Sequence, residues 1–400
     1  MSNTPKLRFK EFSGEWESKK LGDVALLIKD GTHGTHKDVE EGPYLLSAKN
    51  IKDGKIIVTN DDRKISYEDY NSIYKNYSLK ENDILLSIVG TIGRVAVMPY
   101  MEDIAFQRSV AILRFDLNSQ YIYQYMNTNI FQNQLLRNQV VSAQPGIYLN
   151  DIKKLDINIP SNKEQEKIAS FLSLVDKKIS LQGEKVEMLK EYKKGMMQKI
   201  FIRELRFKDD CGRDYPKWEE KKLGSIIKIK SNRNKNKEID LVLSVSNTKG
   251  FIRQSDQFED REVASSDTSN YKIVKKGDFA FNPARINVGS IARLKLYDEG
   301  IISPMYICFK ALELLDEDYL EYFLMTNSFD KQMKNKLEGS VRQTLSADAL
   351  GQIIIKLPSL DEQKKIGEFL NKIDSKVKKE QEKLDSLNKY KKGLLQQMFV

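Results

Sequence analysis

Apolar residues recur at three- and four-residue spacing along one stretch that occurs twice. In the first copy they are Ile168, Leu172, Val175, Ile179, Val186, Leu189, Met196 and Ile200; in the second, Ile366, Leu370, Ile373, Val377, Leu384, Leu387, Leu394 and Met398. An offset of 198 positions superposes the copies without a gap. This a/d spacing over several heptads predicts a coiled coil. Its seam is expected to join Leu172, Val175, Ile179, Val186 and Leu189 to Leu370, Ile373, Val377, Leu384 and Leu387. Gln182 and Glu380 place a polar group at the same seam position, where it can set register. Each stretch starts after a proline with a capping-box pattern, Ser161-x-x-Glu164 and Ser359-x-x-Glu362. Each then runs about 38 residues, or roughly 57 Å at the helical rise. A repeat near half the chain length is duplication of a whole module, not a solenoid period. Helices from two fused copies are expected to pair antiparallel about a pseudo-twofold axis.

Between the helices the pattern changes to short runs flanked by turn formers. Tyr44-Leu-Leu46, Lys55–Thr59, Asp83–Ser87, Val89–Val97, Ile104–Phe115 and Leu155–Ile159 read as strands. Residues 118–137 have helical spacing, and Ser142-Ala-Gln-Pro-Gly146 reads as a loop. Leu7-Arg-Phe-Lys10, Trp16 and Lys19-Lys-Leu-Gly22 return as Leu205-Arg-Phe-Lys208, Trp218 and Lys221-Lys-Leu-Gly224. Trp16 and Trp218 are expected as core anchors. Later in each module Lys275–Phe281 corresponds to Lys80–Leu86, but residues 231–270 have no counterpart. The expected fold is α+β: two similar mixed α/β modules, residues 1–160 and 204–358, separated by two long helices, residues 161–203 and 359–400.

Composition adds limits. Hydrophobic content of 40% and charged content of 31% describe a globular chain of 400 residues. No apolar stretch predicts a membrane helix or a secretory leader. The two cysteines, Cys211 and Cys308, suit isolated thiols in the cytoplasm. A net charge of +9 is compatible with phosphate binding but does not demand it.

The search for catalysis is negative. There is no phosphate-binding GxxxxGK[ST] and no GxGxxG after a strand. Val89-Gly-Thr-Ile-Gly93 reads as a structural turn. Asn282-Pro-Ala-Arg285 is similar to the Asn-Pro-Pro-aromatic motif of amino-methyltransferases. It lacks the second proline and the aromatic that stacks on a flipped base. The two histidines, His33 and His36, lack further ligands nearby, so no metal is expected. No catalytic residue is assigned.

Binding chemistry is more coherent. Loop–strand junctions of the first module carry Thr32, His33, Lys37, Lys49, Asn50, Arg94, Gln107, Arg108, Ser109 and Gln144. Those of the second carry Arg233, Asn234, Asn282, Arg285, Asn287, Arg342 and Gln343. Arg suits guanine, Asn and Gln suit adenine, and Lys suits phosphate. The lysines of Tyr192-Lys-Lys-Gly195 and Tyr390-Lys-Lys-Gly393, namely Lys193, Lys194, Lys391 and Lys392, are candidates for partner contact on the outer helix faces.

The chain resembles the specificity subunits of type I restriction–modification systems over essentially its full length. The resemblance rests on the two Pro-Ser-x-x-Glu-Gln-x-Lys-Ile helix starts, the two Tyr-Lys-Lys-Gly-x-x-Gln ends and the repeated Leu-Arg-Phe-Lys segments. Asp30-Gly-Thr-His-Gly-Thr35, Leu46–Ile51 and Gly339-x-x-Arg-Gln343 add to it. It implies two target recognition domains, each reading half of a split double-stranded DNA site, with the helices as a fixed spacer. It also implies two modification (methyltransferase) subunits as partners, carrying S-adenosylmethionine and adenine N6 chemistry. Restriction subunits would add ATP- and Mg-dependent translocation and cleavage. This chain itself would bind no cofactor and no membrane, and would be catalytically inert. Two other classes remain open: a coiled-coil scaffold without DNA specificity, and a self-sufficient DNA-modifying enzyme.

Overall fold

The two periodic stretches fold as helices Asn162–Phe201 and Leu360–Met398 in a computed structural model. It describes residues 3–140, 145–257, 267–339 and 343–400. Of the expected seam, Leu172, Val186, Leu370 and Ile373 are buried. Val175, Ile179, Leu189, Val377, Leu384 and Leu387 are half-buried, while Lys177, Lys178, Glu187, Lys378 and Lys379 between them are exposed. Burial of one stripe with solvation of the other faces holds such a helix in place. Among the described residues no helix is long and apolar enough to cross a membrane.

The chain divides into two compact units. One comprises Met1–Glu184 with Gln381–Val400, and the other comprises Lys185–Glu380. Each unit therefore contains the start of one long helix and the end of the other. In the first, Ile168 and Leu172 share a core with Leu394, Leu395, Met398 and Phe399. In the second, Ile366 and Leu370 share one with Met197, Ile200 and Phe201. Start beside end is antiparallel pairing. Glu380, one of the polar seam residues, is buried and meets Lys185 Nζ at 3.1 Å.

The helix starts differ from the capping-box expectation. The Glu362 N–H does donate to Ser359 Oγ at 3.4 Å. The glutamate side chains, however, do not turn back to the cap. Glu164 accepts both guanidinium bonds of Arg8, at 2.7 and 2.8 Å. Glu362 accepts those of Arg206, at 3.1 and 2.7 Å, and the Trp218 Nε1–H at 3.0 Å. A planar guanidinium satisfies both carboxylate oxygens at once, which a returning backbone N–H does not. The glutamine that follows locks the start. Gln165 donates to the Pro160 carbonyl at 3.0 Å and accepts the Asn118 N–H at 3.3 Å. Gln363 does the same with Pro358 and Asp316, at 2.9 and 2.8 Å. The repeated Pro-Ser-x-x-Glu-Gln thus fastens each helix to its module. Trp16 and Trp218 are buried. Trp16 packs edge-on to Tyr121 and Phe399, and Trp218 edge-on to Tyr319.

Each unit is built on one antiparallel four-stranded sheet with the same order. In the first the strands lie as Ala25–Asp30, Val110–Phe115, Ile84–Ser87, Val95–Val97. In the second they lie as Ile227–Lys230, Ile307–Ala311, Phe279–Phe281, Ile291–Arg293. Both units also pair their first strand antiparallel with their last, Glu17–Lys20 with Asp156–Ile159 and Glu219–Lys222 with Ile354–Leu357. The other strands differ. The first unit has the parallel pair Tyr44–Leu46 and Ile104–Phe106 and the hairpin Ile51–Lys52 with Lys55–Ile56. The second has another four-stranded sheet, containing the parallel pair Val242–Ser246 and Glu299–Ile302.

Three further sequence expectations change. Of the strand expected over residues 89–97 only Val95–Val97 forms, because residues 90–93 turn the chain, with Gly90 and Gly93 at positive φ. The strand expected over residues 55–59 stops at Ile56, because Asn50 takes both backbone groups of Ile57, at 2.8 Å each. The helix expected over residues 118–137 is two helices, Ser119–Met126 and Asn129–Arg137. The buried Thr128 hydroxyl accepts the Phe131 N–H and starts the second.

Candidate nucleic-acid interface

Short strands end in loops, and in the first unit hydrogen bonds tie several of those loops into one edge. Thr32 N–H donates to the Phe106 carbonyl at 2.8 Å, and Arg108 N–H to the Thr32 carbonyl at 3.0 Å. Ala48 N–H donates to Ser109 Oγ at 3.1 Å. Ile88 N–H donates to the Ser109 carbonyl at 2.9 Å, and Gly90 N–H to the Pro145 carbonyl at 3.0 Å. Thr32, His33, Lys37, Lys49, Arg94, Gln107, Arg108 and Ser109 therefore belong to adjoining loops. Gln144 lies outside the described residues.

Their freedom differs. Lys37 and Arg108 are exposed. Arg94 is half-buried, with its guanidinium 3.4 Å from the Ile51 carbonyl. His33 is exposed and paired with Asp30 at 2.6 Å. His36, not selected from sequence, is more enclosed. Its Nδ1 lies 3.1 Å from Asp69 and its Nε2 2.9 Å from the Thr32 hydroxyl, so it braces the loop that carries Thr32 and Lys37.

Lys49 and Asn50 surround the buried Asp62. Lys49 reaches it at 2.8 Å and Asn50 Nδ2 at 2.9 Å, while the Thr59 N–H and hydroxyl donate at 2.8 and 3.1 Å. Burial alone would raise this carboxyl. The bonds from Lys49, Asn50 and Thr59 overcome it and hold the group well below the usual carboxylate range. Asn50 is itself only 4% exposed, with its amide spent on Ser47, Ile57 and Asp62. It shapes the loop and presents no edge to a ligand.

In the second unit Leu345 N–H donates to the Pro283 carbonyl at 3.1 Å, joining the Asn282–Arg285 turn to the segment after Gln343. Arg285, Asn287 and Gln343 are exposed. Arg342 lies outside the described residues. Arg233 is exposed and donates to Asn270 Oδ1 at 2.9 Å. Asn234, expected as a base reader, is 2% exposed and closes its own turn on Ile239. Asn282 is buried at the wall of a cavity of about 320 Å³ that Arg285 also lines.

The helix lysines divide. Lys194 and Lys392 are exposed. Lys193 and Lys391 are not outward as expected: each is mostly buried against an aspartate, Asp374 and Asp176 respectively. An aspartate at 2.6 Å from Lys193 and one at 2.5 Å from Lys391 draw the ammonium groups inward, because the side chains are partly removed from water.

Comparison with known proteins places this architecture. The family described as type I restriction modification DNA specificity domain matches residues 13–191 and again 215–389. The chain is 26% identical over 413 residues to the type I restriction enzyme MjaVIII specificity subunit of Methanocaldococcus jannaschii, covering 97% of this chain and 94% of that one. It is 29% identical over 136 residues to the EcoBI specificity subunit of Escherichia coli, which covers 33% of this chain and 28% of that one. The fold is similar to the crystal structure of the type I restriction–modification S subunit from M. genitalium. There the TM-score is 0.59 at 18% identity, with 99% of both chains covered. The family match occurs twice and each time takes in most of one long helix: the chain belongs to the type I restriction–modification DNA specificity family and is a specificity subunit, the non-catalytic component of such a system.

Proposed function

We propose that the two units read the two halves of an asymmetric, split site in double-stranded DNA. One observation carries this reading. The four-stranded frame and the pairing of first with last strand are the same in both units, while the other strands and the loops differ. Equivalent frames with unlike loops suit two unlike half-sites. Two modification subunits would bind the chain and bring S-adenosylmethionine to an adenine N6. Restriction subunits would add ATP- and Mg-dependent translocation and cleavage. The exposed Lys194 and Lys392 are candidates for contact with these partners. The assembly would act in the cytoplasm. Mapping N6-methyladenine across the source genome, with and without this gene, tests the reading. A two-part asymmetric motif that loses methylation only in the deletion supports it. A motif that stays methylated, or a single uninterrupted one, overturns it.

A further inference from the structure

The two four-stranded frames share a turn as well as their strand order. Leu86 pairs with Ala111 in the first unit and Phe281 with Ile307 in the second, so the residues just before Ala111 and Ile307 hold the same place. In both units they form one tight turn. The Val110 N–H donates to the Gln107 carbonyl at 3.0 Å, and the Tyr306 N–H to the Ser303 carbonyl at 3.1 Å. The contents of the turn differ. Gln107-Arg108-Ser109 offers hydrogen-bonding groups, with Arg108 exposed. Ser303-Pro304-Met305 instead presents an apolar side chain, Met305, which is 60% exposed.

Met305 is held outward by a fixed turn. Pro304 presets the backbone at the turn's second position. Tyr306, the next residue, is buried, and its carbonyl accepts Lys272 Nζ at 2.6 Å. Ser303 and Met305 line one recess with Arg285 and Ser290 of the neighbouring turn. That turn puts out a second apolar residue, Val288, which is 54% exposed and precedes the left-handed Gly289. A single exposed apolar side chain needs no explanation. Two on adjoining turns, at the edge where the first unit carries Arg108, do need one.

Base edges in the grooves of a duplex display hydrogen-bond donors and acceptors and one apolar group, the C5 methyl of thymine in the major groove. Contact between that methyl and an apolar side chain removes both from water, which is favourable at thymine and has no equivalent at the other bases. The unbranched, flexible thioether of methionine adapts to the position of such a group. We infer that Met305 is a specificity-determining residue of the second unit and contacts the methyl of a thymine in that unit's half-site, with Val288 extending the apolar surface. This rests on the DNA reading proposed above and deepens it. The difference between the half-sites then lies partly in one shared turn, polar in the first unit and apolar in the second.

The test uses the complete complex with its modification subunits and duplexes carrying the methylated motif. Each thymine of the motif is replaced in turn by uracil, which removes the methyl and keeps the pairing. Affinity is measured for the wild type, Met305→Ala and Met305→Gln. The wild type is expected to lose affinity several-fold at one thymine, in one half of the motif only. Both variants should bind the natural duplex several-fold more weakly and show no further loss with uracil at that position. Their melting temperatures should stay with the wild type's, because an exposed side chain is replaced. A wild type indifferent to every uracil, or a half-site without thymine, overturns the inference. So do variants that respond to uracil as the wild type does, since another residue then reads the methyl. Variants that fail to assemble with the modification subunits, and keep the uracil response in whatever complex forms, make Met305 a partner contact and overturn it as well. A wild-type complex that binds the motif no better than an unrelated duplex overturns the DNA reading itself.

Discussion

Lys391 Nζ lies 2.5 Å from Asp176 Oδ1, and the pair offset by 198 positions, Lys193 and Asp374, meets at 2.6 Å. Each pair lies within one unit and joins the end of one long helix to the start of the other. The aspartates are further held, Asp176 by Gln124 Nε2 at 2.6 Å and Asp374 by the Tyr322 hydroxyl at 2.7 Å. The lysines also sit over rings, Lys391 over Tyr123 and Lys193 over Tyr322. Lys391→Glu is therefore expected to destabilise the chain by about 1 kcal/mol or somewhat more, since both groups keep some contact with water. Adding Asp176→Lys should restore part of the loss. A double-mutant cycle by urea denaturation reads the coupling, and zero coupling would show that the pair holds nothing.

The two arginine–glutamate clamps are not equal. Glu362 carries Trp218 Nε1 as well as Arg206, whereas the buried Trp16 Nε1 has no partner among the described residues. Glu362→Ala leaves the Trp218 indole N–H unpaired and the Arg206 guanidinium with only the Tyr215 and Pro216 carbonyls; Glu164→Ala leaves the Arg8 guanidinium with the Ser13 and Gly14 carbonyls and orphans no further donor. The first should cost about 3 kcal/mol or more, and the second less. Thermal unfolding of both variants checks the order.

Asp62 makes the first unit's stability depend on pH. Its folded-state carboxyl titrates below the ordinary value of 3.8. The stability it contributes is complete above that ordinary value and is lost as pH falls through the lower folded one. Asp62→Asn should cost about 2 kcal/mol near neutrality. The gap between wild type and variant should hold down to about pH 4 and close only in stronger acid. A gap that closes between pH 8 and 6 would assign it to another group.

Lys37 and Lys49 are the same residue type with different commitments. Lys49 is bound to Asp62, and Lys37 is exposed without an ion pair among the described residues. Lys37→Ala should weaken DNA binding and lower the slope of log K against log salt by about 1. Lys49→Ala should instead lower stability. Titrations of the complex at several salt concentrations separate the two.

Heptad insertion probes the helices. One added heptad in both helices is expected to change the number of bases tolerated between half-sites. Unchanged spacing in a methylation assay would remove the spacer role from the helices.

The helices were legible because burial of one stripe writes a period into the sequence. Their fastening was not. Arg8 and Glu164 are 156 positions apart, and the capping-box pattern offered a nearer use for the glutamate. The candidate readers were chosen by chemical type, which does not tell an amide facing a ligand from one closing its own turn. Asn50 and Asn234 are of the second kind. The segment around Val242–Ser246 has no sequence match in the first module, yet it forms a parallel pair comparable to Tyr44–Leu46 with Ile104–Phe106. Backbone hydrogen bonds make that pairing whatever the side chains.

The division of the chain into units also sets a timetable. The second unit is one continuous segment, Lys185–Glu380. The first needs residues 381–400, whose Leu394, Leu395, Met398 and Phe399 complete the core around Trp16, Tyr121 and Ile168. During synthesis the part that emerges first is therefore finished last. Until the final helical turns leave the ribosome, its aromatic core lacks one wall and is exposed to association with other chains.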